Sequence, residues 1–290
     1  MSYDLNFYKD KNNNVTKIDL VKFLESKNIK KAKDYDTFVY QNEKTGVYFI
    51  IEDSIDKEIN KEINKEIPNI QDFVDTELSL NLNFVRPDFF GRECFNIMDL
   101  FIKEFDLYVF DFETDYIYKP SKDKLYLSWS LANKNVLSQK DISKNTMYYP
   151  LEISNQDWDY NYNINNSQNE LGDQYYVPKI FYMNKKNDSK VFSFTTWTEN
   201  IPTLIPKVDY LFIQKETKSF IFNKKIVGIV SYNNLIENLS DYFAEYKNMV
   251  KIVDEERSIK VKNKYDKLTF DFNKDDFLYV DISIINNYKN

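Results

Sequence analysis

Asp111 and Glu113, in the stretch YVFDFETDY (residues 108–116), come nearest to chemistry by residue type and spacing. Two carboxylates two positions apart on a strand project to the same side. Such a pair can grip a divalent ion for hydrolysis of a phosphodiester, although a two-metal centre needs about four converging carboxylates to hold both ions. Composition narrows the other possibilities: the 290 residues contain no histidine and a single cysteine, Cys94. The usual general base near neutral pH, the usual zinc ligand and the imidazole of Ser-His or Cys-His systems are therefore absent. There is no glycine-rich phosphate loop and no Gly-x-Ser-x-Gly elbow. Cys94, in GRECFNIM, falls beside the apolar face of an expected helix, the setting of an inert thiol. Arg86 and Arg92 flank PDFFG, where a structural salt bridge is the ordinary use.

YVFDFETDY is similar to the first motif of the DEDD 3′–5′ exonucleases, and the resemblance implies Asp111 and Glu113 as metal ligands. The later motifs of that family are not matched. VSYNNLIENLSD (230–241) offers Asn233 and Asn234 before Glu237 and Asp241 only loosely, and no Tyr-x-x-x-Asp follows Glu113. A metal-dependent nuclease using Asp111 and Glu113 is thus the alternative reading. The main expectation is a protein without catalytic residues, metal or cofactor.

Periodicity defines the elements around these residues. YDLNFY (3–8) alternates as a strand, and Thr16 to Lys27 spaces its apolar residues as one helix face with Thr16 as N-cap. TFVYQ and GVYFIIE read as a hairpin turning at Gly46, and ELSLNLNFV (77–85) as a further strand. Pro87 to Phe105 supplies a helix, DLYVFDF a strand, and Ser121 caps a helix that carries Trp129 into the core. The order, βαββ then βαβ, predicts an α+β fold with a ferredoxin-like first half. Strands VPKIFYM, KVFSFTTW, VDYLFIQ, SFIFN, KIVGIVSY, KLTFDF and FLYVDISI, with one helix from about Asn233 to Tyr246, predict a mainly antiparallel second half. The repeat DKEINKEINKEI (56–67) reads as an exposed helical insertion.

The predicted divisions are 1–150, a connecting loop over 151–177, and 178–290, although the halves can also share one continuous domain. Charge sets the middle segment apart: residues 151–177 contain Glu152, Asp157, Asp159, Glu170 and Asp173 but no lysine or arginine. The whole chain carries net −7, against direct binding of nucleic acid, whose phosphates need a basic face. MSYDLNFYKD lacks the pattern of a signal peptide and no run reaches the length of a membrane span, so a cytoplasmic protein is expected.

The segment QDWDYNYN pairs Trp158, Tyr160 and Tyr162, rigid aromatic anchors, with Asp157 and Asp159, which would steer a basic protein partner; a plain linker with its aromatics folded onto the domain explains the same residues. The patches MSYDLNFYK, NEKTGVYF (42–49) and WTENIPTLIPKVDY (197–210) resemble uncharacterised bacterial immunity-type proteins of polymorphic or secreted toxin systems. That resemblance implies a cytoplasmic antidote that occludes the active site of a cognate toxin domain.

Overall fold

The structure, a computed structural model of the chain, describes all residues except 34, 54–66, 68–69, 113–115, 199–200, 219–222, 248–249 and 290. The repeat over 56–67, apart from the buried Ile67, lies outside the described residues, as does most of SFIFN. Two units are distinguished by their contacts: Met1–Asn145 with the residues from Tyr288 onward, and Thr146–Asn287.

The first unit is built on a seven-stranded antiparallel sheet of β1 (Ser2–Asp10), β2 (Lys30–Lys31), β3 (Thr37–Gln41), β4 (Tyr48–Asp53), β5 (Phe73–Asn83), β6 (Leu107–Asp111) and β7 (Tyr116–Tyr118). Its helices are α1 (Lys17–Ser26), α2 (Phe89–Phe105), α3 (Lys122–Leu137) and the short α4 (Lys140–Ser143). Thr16 starts α1 with a reciprocal capping box to Asp19, and Ser121 caps α3. Asp106 ends α2 in the left-handed region, φ 51°. Alternation along β5 buries Leu78, Leu80 and Leu82. In α2 the apolar stripe Phe90, Cys94, Phe95, Met98 and Phe101 is buried, while Leu100 falls outside it and is half exposed.

The class is α+β, and the pairing refines the ferredoxin-like expectation. The strand order is β2-β3-β4-β5-β1-β6-β7, so β5 lies between the β3–β4 hairpin and β1. β1 consequently has an antiparallel neighbour on each side, β5 and β6.

The second unit opens with β8 (Met147–Tyr148), α5 (Leu151–Tyr162) and α6 (Ile164–Leu171). Residues 151–177, expected as a connecting loop, are therefore mostly helical. There follow β9 (Phe181–Lys185), β10 (Val191–Trp197), β11 (Thr203–Pro206), β12 (Tyr210–Lys218), β13 (Asn223–Ser231), α7 (Tyr232–Leu239), β14 (Ala244–Tyr246), β15 (Val250–Val253) and α8 (Glu255–Tyr265). The chain closes with β16 (Phe272–Asn273), β17 (Phe277–Tyr279) and β18 (Ile285–Asn286). Six strands form one sheet in the order β16-β13-β12-β10-β9-β17, with only β10 and β12 parallel. Its core gathers Trp197, Leu211, Ile213 and Val230 with Leu235 and Leu239 of α7 and Val261 and Tyr265 of α8. The expectation of one packed helix missed α8, whose buried stripe is only Ser258, Val261 and Tyr265 among charged residues. Among the described residues no helix is long and apolar enough to cross a membrane.

Gly91 of α2 lies against Trp129 of α3: a Cβ there would approach the indole to 2.3 Å, and Trp129 is fully buried. Alanine gains about 1 kcal/mol of helix propensity over glycine. Overpacking a core costs about 1–3 kcal/mol, so the clash outweighs the gain. Gly91→Ala is expected to lower the urea midpoint with little change in its slope; a raised midpoint would show that the ring can give way.

Candidate functional site

Four acids are buried among the described residues: Asp88, Glu93, Asp111 and Asp157. Each accepts a hydrogen bond from a tyrosine hydroxyl.

Asp111 shares one face of β6 with the buried Leu107 and Val109, and pairs in register with Leu5 of β1. That places its carboxyl beside Tyr3, two residues back on β1. Tyr3 Oη donates to Asp111 Oδ2 at 2.5 Å, and Tyr118 Oη and Ser128 Oγ lie 3.4 and 3.5 Å from the same oxygen. Asp111 is 0% exposed. Burial, then the Asp111 hydrogen bond, raises the Tyr3 hydroxyl's pKa far above its usual range and keeps it a donor. Glu113 lies outside the described residues. Among the described residues, no three Asp, Glu or Cys side chains gather where they could hold a metal ion.

The other two acids of the first unit are held similarly. Glu93 Oε1 accepts from Tyr40 Oη and Asn42 Nδ2, both at 2.7 Å. Asp88 accepts from Tyr126 Oη at 2.8 Å and from Arg92 Nε at 2.8 Å. The salt bridge expected of the arginines thus forms at Arg92; Arg86 lies over the rings of Tyr48 and Phe90 and donates to Tyr48 Oη and the Val85 carbonyl. Cys94 is buried, and burial pushes its thiol well up, away from the reactive thiolate.

The acidic segment of the second unit divides between an inner and an outer side. α5 turns Ser154, Asp157 and Asn161 inward, spaced by three and four residues as one helix face. Asn161 donates from Nδ2 to the Ile180 carbonyl at 3.0 Å and accepts from Ile180 N at 2.9 Å, as a strand neighbour would. Tyr149 Oη donates to Asp157 Oδ2 at 2.8 Å. Tyr160 packs against the sheet core, and its hydroxyl donates to the Pro178 carbonyl at 2.9 Å. Asp157 and Tyr160, expected at a partner surface, therefore hold the helix to the sheet instead. Trp158 and Tyr162, four residues apart, bring their rings to 5.3 Å, and Asp159 beside them is exposed. Of the five expected contact residues, the structure leaves Trp158, Asp159 and Tyr162 on the outer surface.

The α5–α6 pair walls a cleft of about 670 Å³ within the second unit. Its buried lining includes Tyr149, Asp157, Ile180, Val191, Leu204 and Val208. Exposed Asp159, Glu170, Lys190, Lys207, Asp209 and Lys247 lie around the rim, with Glu170 and Lys247 paired at 2.6 Å. Ser193, also in the lining, donates through N and Oγ to Asp209 Oδ2 at 2.8 and 3.3 Å. Burial, reinforced by the Asp209 charge, pushes the Asp157 carboxyl up to about 7, against the lowering by the Tyr149 and Tyr182 hydroxyls. Sequence reading missed Tyr149, which bonds Asp157, and Ser193 and Asp209, which bond each other in the same lining. Pro150, directly before LEISNQDWDYNY, was the available mark of a helix start.

Comparison with known protein families, with curated proteins and with solved structures finds no match.

Two measurements follow from these geometries. Asp111→Ala, leaving the Tyr3 hydroxyl without its acceptor, is expected to cost about 1–3 kcal/mol of stability. Millimolar Mg²⁺ or Mn²⁺ is expected to leave the wild-type melting temperature unchanged; a metal-dependent rise abolished by Asp111→Ala would make Asp111 a ligand. Asp157 rises on folding from 3.8 to about 7, so the native state keeps a proton that the unfolded chain has lost. Its contribution is complete below about pH 4 and is lost as pH rises through about 7, with a slope of up to ~1.4 kcal/mol per pH unit. Asp157→Asn is expected to flatten that decline in urea titrations between about pH 5 and pH 7; an unchanged slope would show that Asp157 does not set it.

Proposed function

We propose that this chain is a protein-binding module that acts in the cytoplasm and presents the outer side of α5–α6 to a basic partner. The observation that carries the reading is the surface formed by the Trp158–Tyr162 ring pair with exposed Glu152 and Asp159, on a segment containing no lysine or arginine. Two rigid aromatic rings supply contact area at small entropic cost. The acids beside them favour encounter with a positively charged surface. The resemblance to immunity-type proteins gives the partner its form: a toxin domain whose active site is covered on binding. A basic active site, as a nuclease needs to receive phosphates, complements this surface.

The test is whether the adjoining reading frame encodes a toxin domain and, with that domain, titration calorimetry and an inhibition assay; a neighbouring frame without one would count against the reading. Trp158→Ala, Asp159→Lys and Tyr162→Ala are each expected to weaken binding by about tenfold or more, equivalent to ~1.4 kcal/mol. The urea midpoints of Asp159→Lys and Tyr162→Ala should stay close to wild type because those side chains are exposed, whereas truncating half-buried Trp158 should lower its midpoint modestly. Association should slow as salt is raised. A complex indifferent to all three substitutions would place the interface elsewhere, and a toxin domain that neither binds nor is inhibited would remove the reading.

A further inference from the structure

The inner side of α5–α6 offers something different from its outer side. The cleft there, about 670 Å³, falls within the roughly 300–1,000 Å³ range of small-molecule sites. Its walls are largely apolar, with Tyr149, Ile153, Tyr160, Val191 and Val208 among the lining. Strand addition along its floor is poorly served, since Pro206 at the end of edge strand β11 has no N–H to give. Recognition must therefore rest on side chains.

The charged groups are unequal in depth. Lys190, Lys207 and Lys247 are exposed at the rim, and Lys247 is already engaged by Glu170. The deep charged position belongs to Asp157, only 4% exposed, with Asp209 in the same lining and coupled to it electrostatically. Tyr149 and Ser193 orient these two carboxyls through the hydrogen bonds already described. The charge of exposed Asp209 disfavours ionisation of buried Asp157, and a ligand cation between them would offset that repulsion.

We propose that this cleft binds a small organic cation, with an apolar body of about aromatic-ring size over Tyr149, Ile153, Tyr160, Val191 and Val208 and an ammonium group against Asp157 and Asp209. This site goes beyond the binding of a protein partner: Trp158 and Tyr162 take no part in its lining, and of the proposed partner contacts Asp159 alone borders it. Ammonium binding requires ionised Asp157, whose carboxyl titrates near 7 among Tyr149 and Tyr182, with Asp209 opposing ionisation and Lys190 and Lys207 at the rim. Affinity should therefore be about tenfold lower at about pH 6 than at about pH 8.

The experiment titrates 2-phenylethylamine into the full chain by calorimetry at both pH values, with 3-phenylpropionate as the probe of similar size and opposite charge. Expected are saturable amine binding at the higher pH, the tenfold weakening at the lower, and propionate at least about tenfold weaker. Asp157→Asn should weaken amine binding and remove its pH dependence, and Asp209→Asn, at an exposed position, should weaken it without loss of fold. Absence of saturable amine binding in the millimolar range, equal binding of propionate, or amine affinity unchanged in Asp209→Asn would overturn the proposal. Should Asp157→Asn not fold, Asp209→Asn and the pH comparison decide. Loss of partner binding in the Trp158 or Tyr162 variants has no bearing on these outcomes, so the two readings fail separately.

Discussion

A carboxyl withdrawn from water costs several kcal/mol unless donors replace its hydration, and this chain, with no histidine and few arginines, repeatedly uses tyrosine for that purpose. Tyr3 holds Asp111, Tyr40 holds Glu93, Tyr126 holds Asp88 and Tyr149 holds Asp157. A tyrosine brings a large apolar ring and one neutral donor, so it enters a core with little desolvation cost of its own. In the first unit these bonds join separate elements: β3 to α2, β1 to β6, and α3 to the start of α2. Because a buried acid left without its donor is penalised strongly, each pair favours one register of packing over its neighbours.

The same reliance on polar contacts sets α5 apart from the other helices. α2 docks through eight buried apolar side chains, whereas α5 faces inward with Ser154, Asp157 and Asn161. A net hydrogen bond contributes about 0.5–1.5 kcal/mol, and burial of a large apolar side chain about 1.5–3 kcal/mol. α5 is therefore placed by matched donors and acceptors, with Tyr160 adding the main apolar anchor. The partner for Asn161 is the backbone of Ile180, which leads directly into β9, so the helix is referenced to the sheet at a defined residue.

This difference accounts for what could be read in advance. Elements whose buried stripe is apolar were legible: the β3–β4 hairpin, β5 with its alternating leucines, α2 with its phenylalanines, and the capping of α1 by Thr16 and of α3 by Ser121. α5 was not, because hydrophobic periodicity cannot register an inward face made of serine, aspartate and asparagine. The division of QDWDYNYN followed from the same blind spot. As a loop it left all five residues available to a partner; as a helix it commits Asp157 and Tyr160 inward and leaves Trp158, Asp159 and Tyr162 outside. The setting of Asp111 was not legible for another reason: its donor, Tyr3, lies 108 residues away in sequence, and strand pairing brings them together.

A wall held by polar contacts also explains why a cleft exists beside it. Apolar faces gain from every square ångström brought together and close until packing is complete. A polar stripe gains only at its particular bonds, and once Tyr149 has met Asp157 and Ile180 has met Asn161, apolar closure is left to α6, whose Ile164 packs on Leu204 and Val177 at one end of the interval. The interval beside those bonds keeps its volume, and Asp157, buried for docking, is its deepest charged position. Its carboxyl thus links two properties of the second unit: the position of the helix and the chemistry at the base of the cleft.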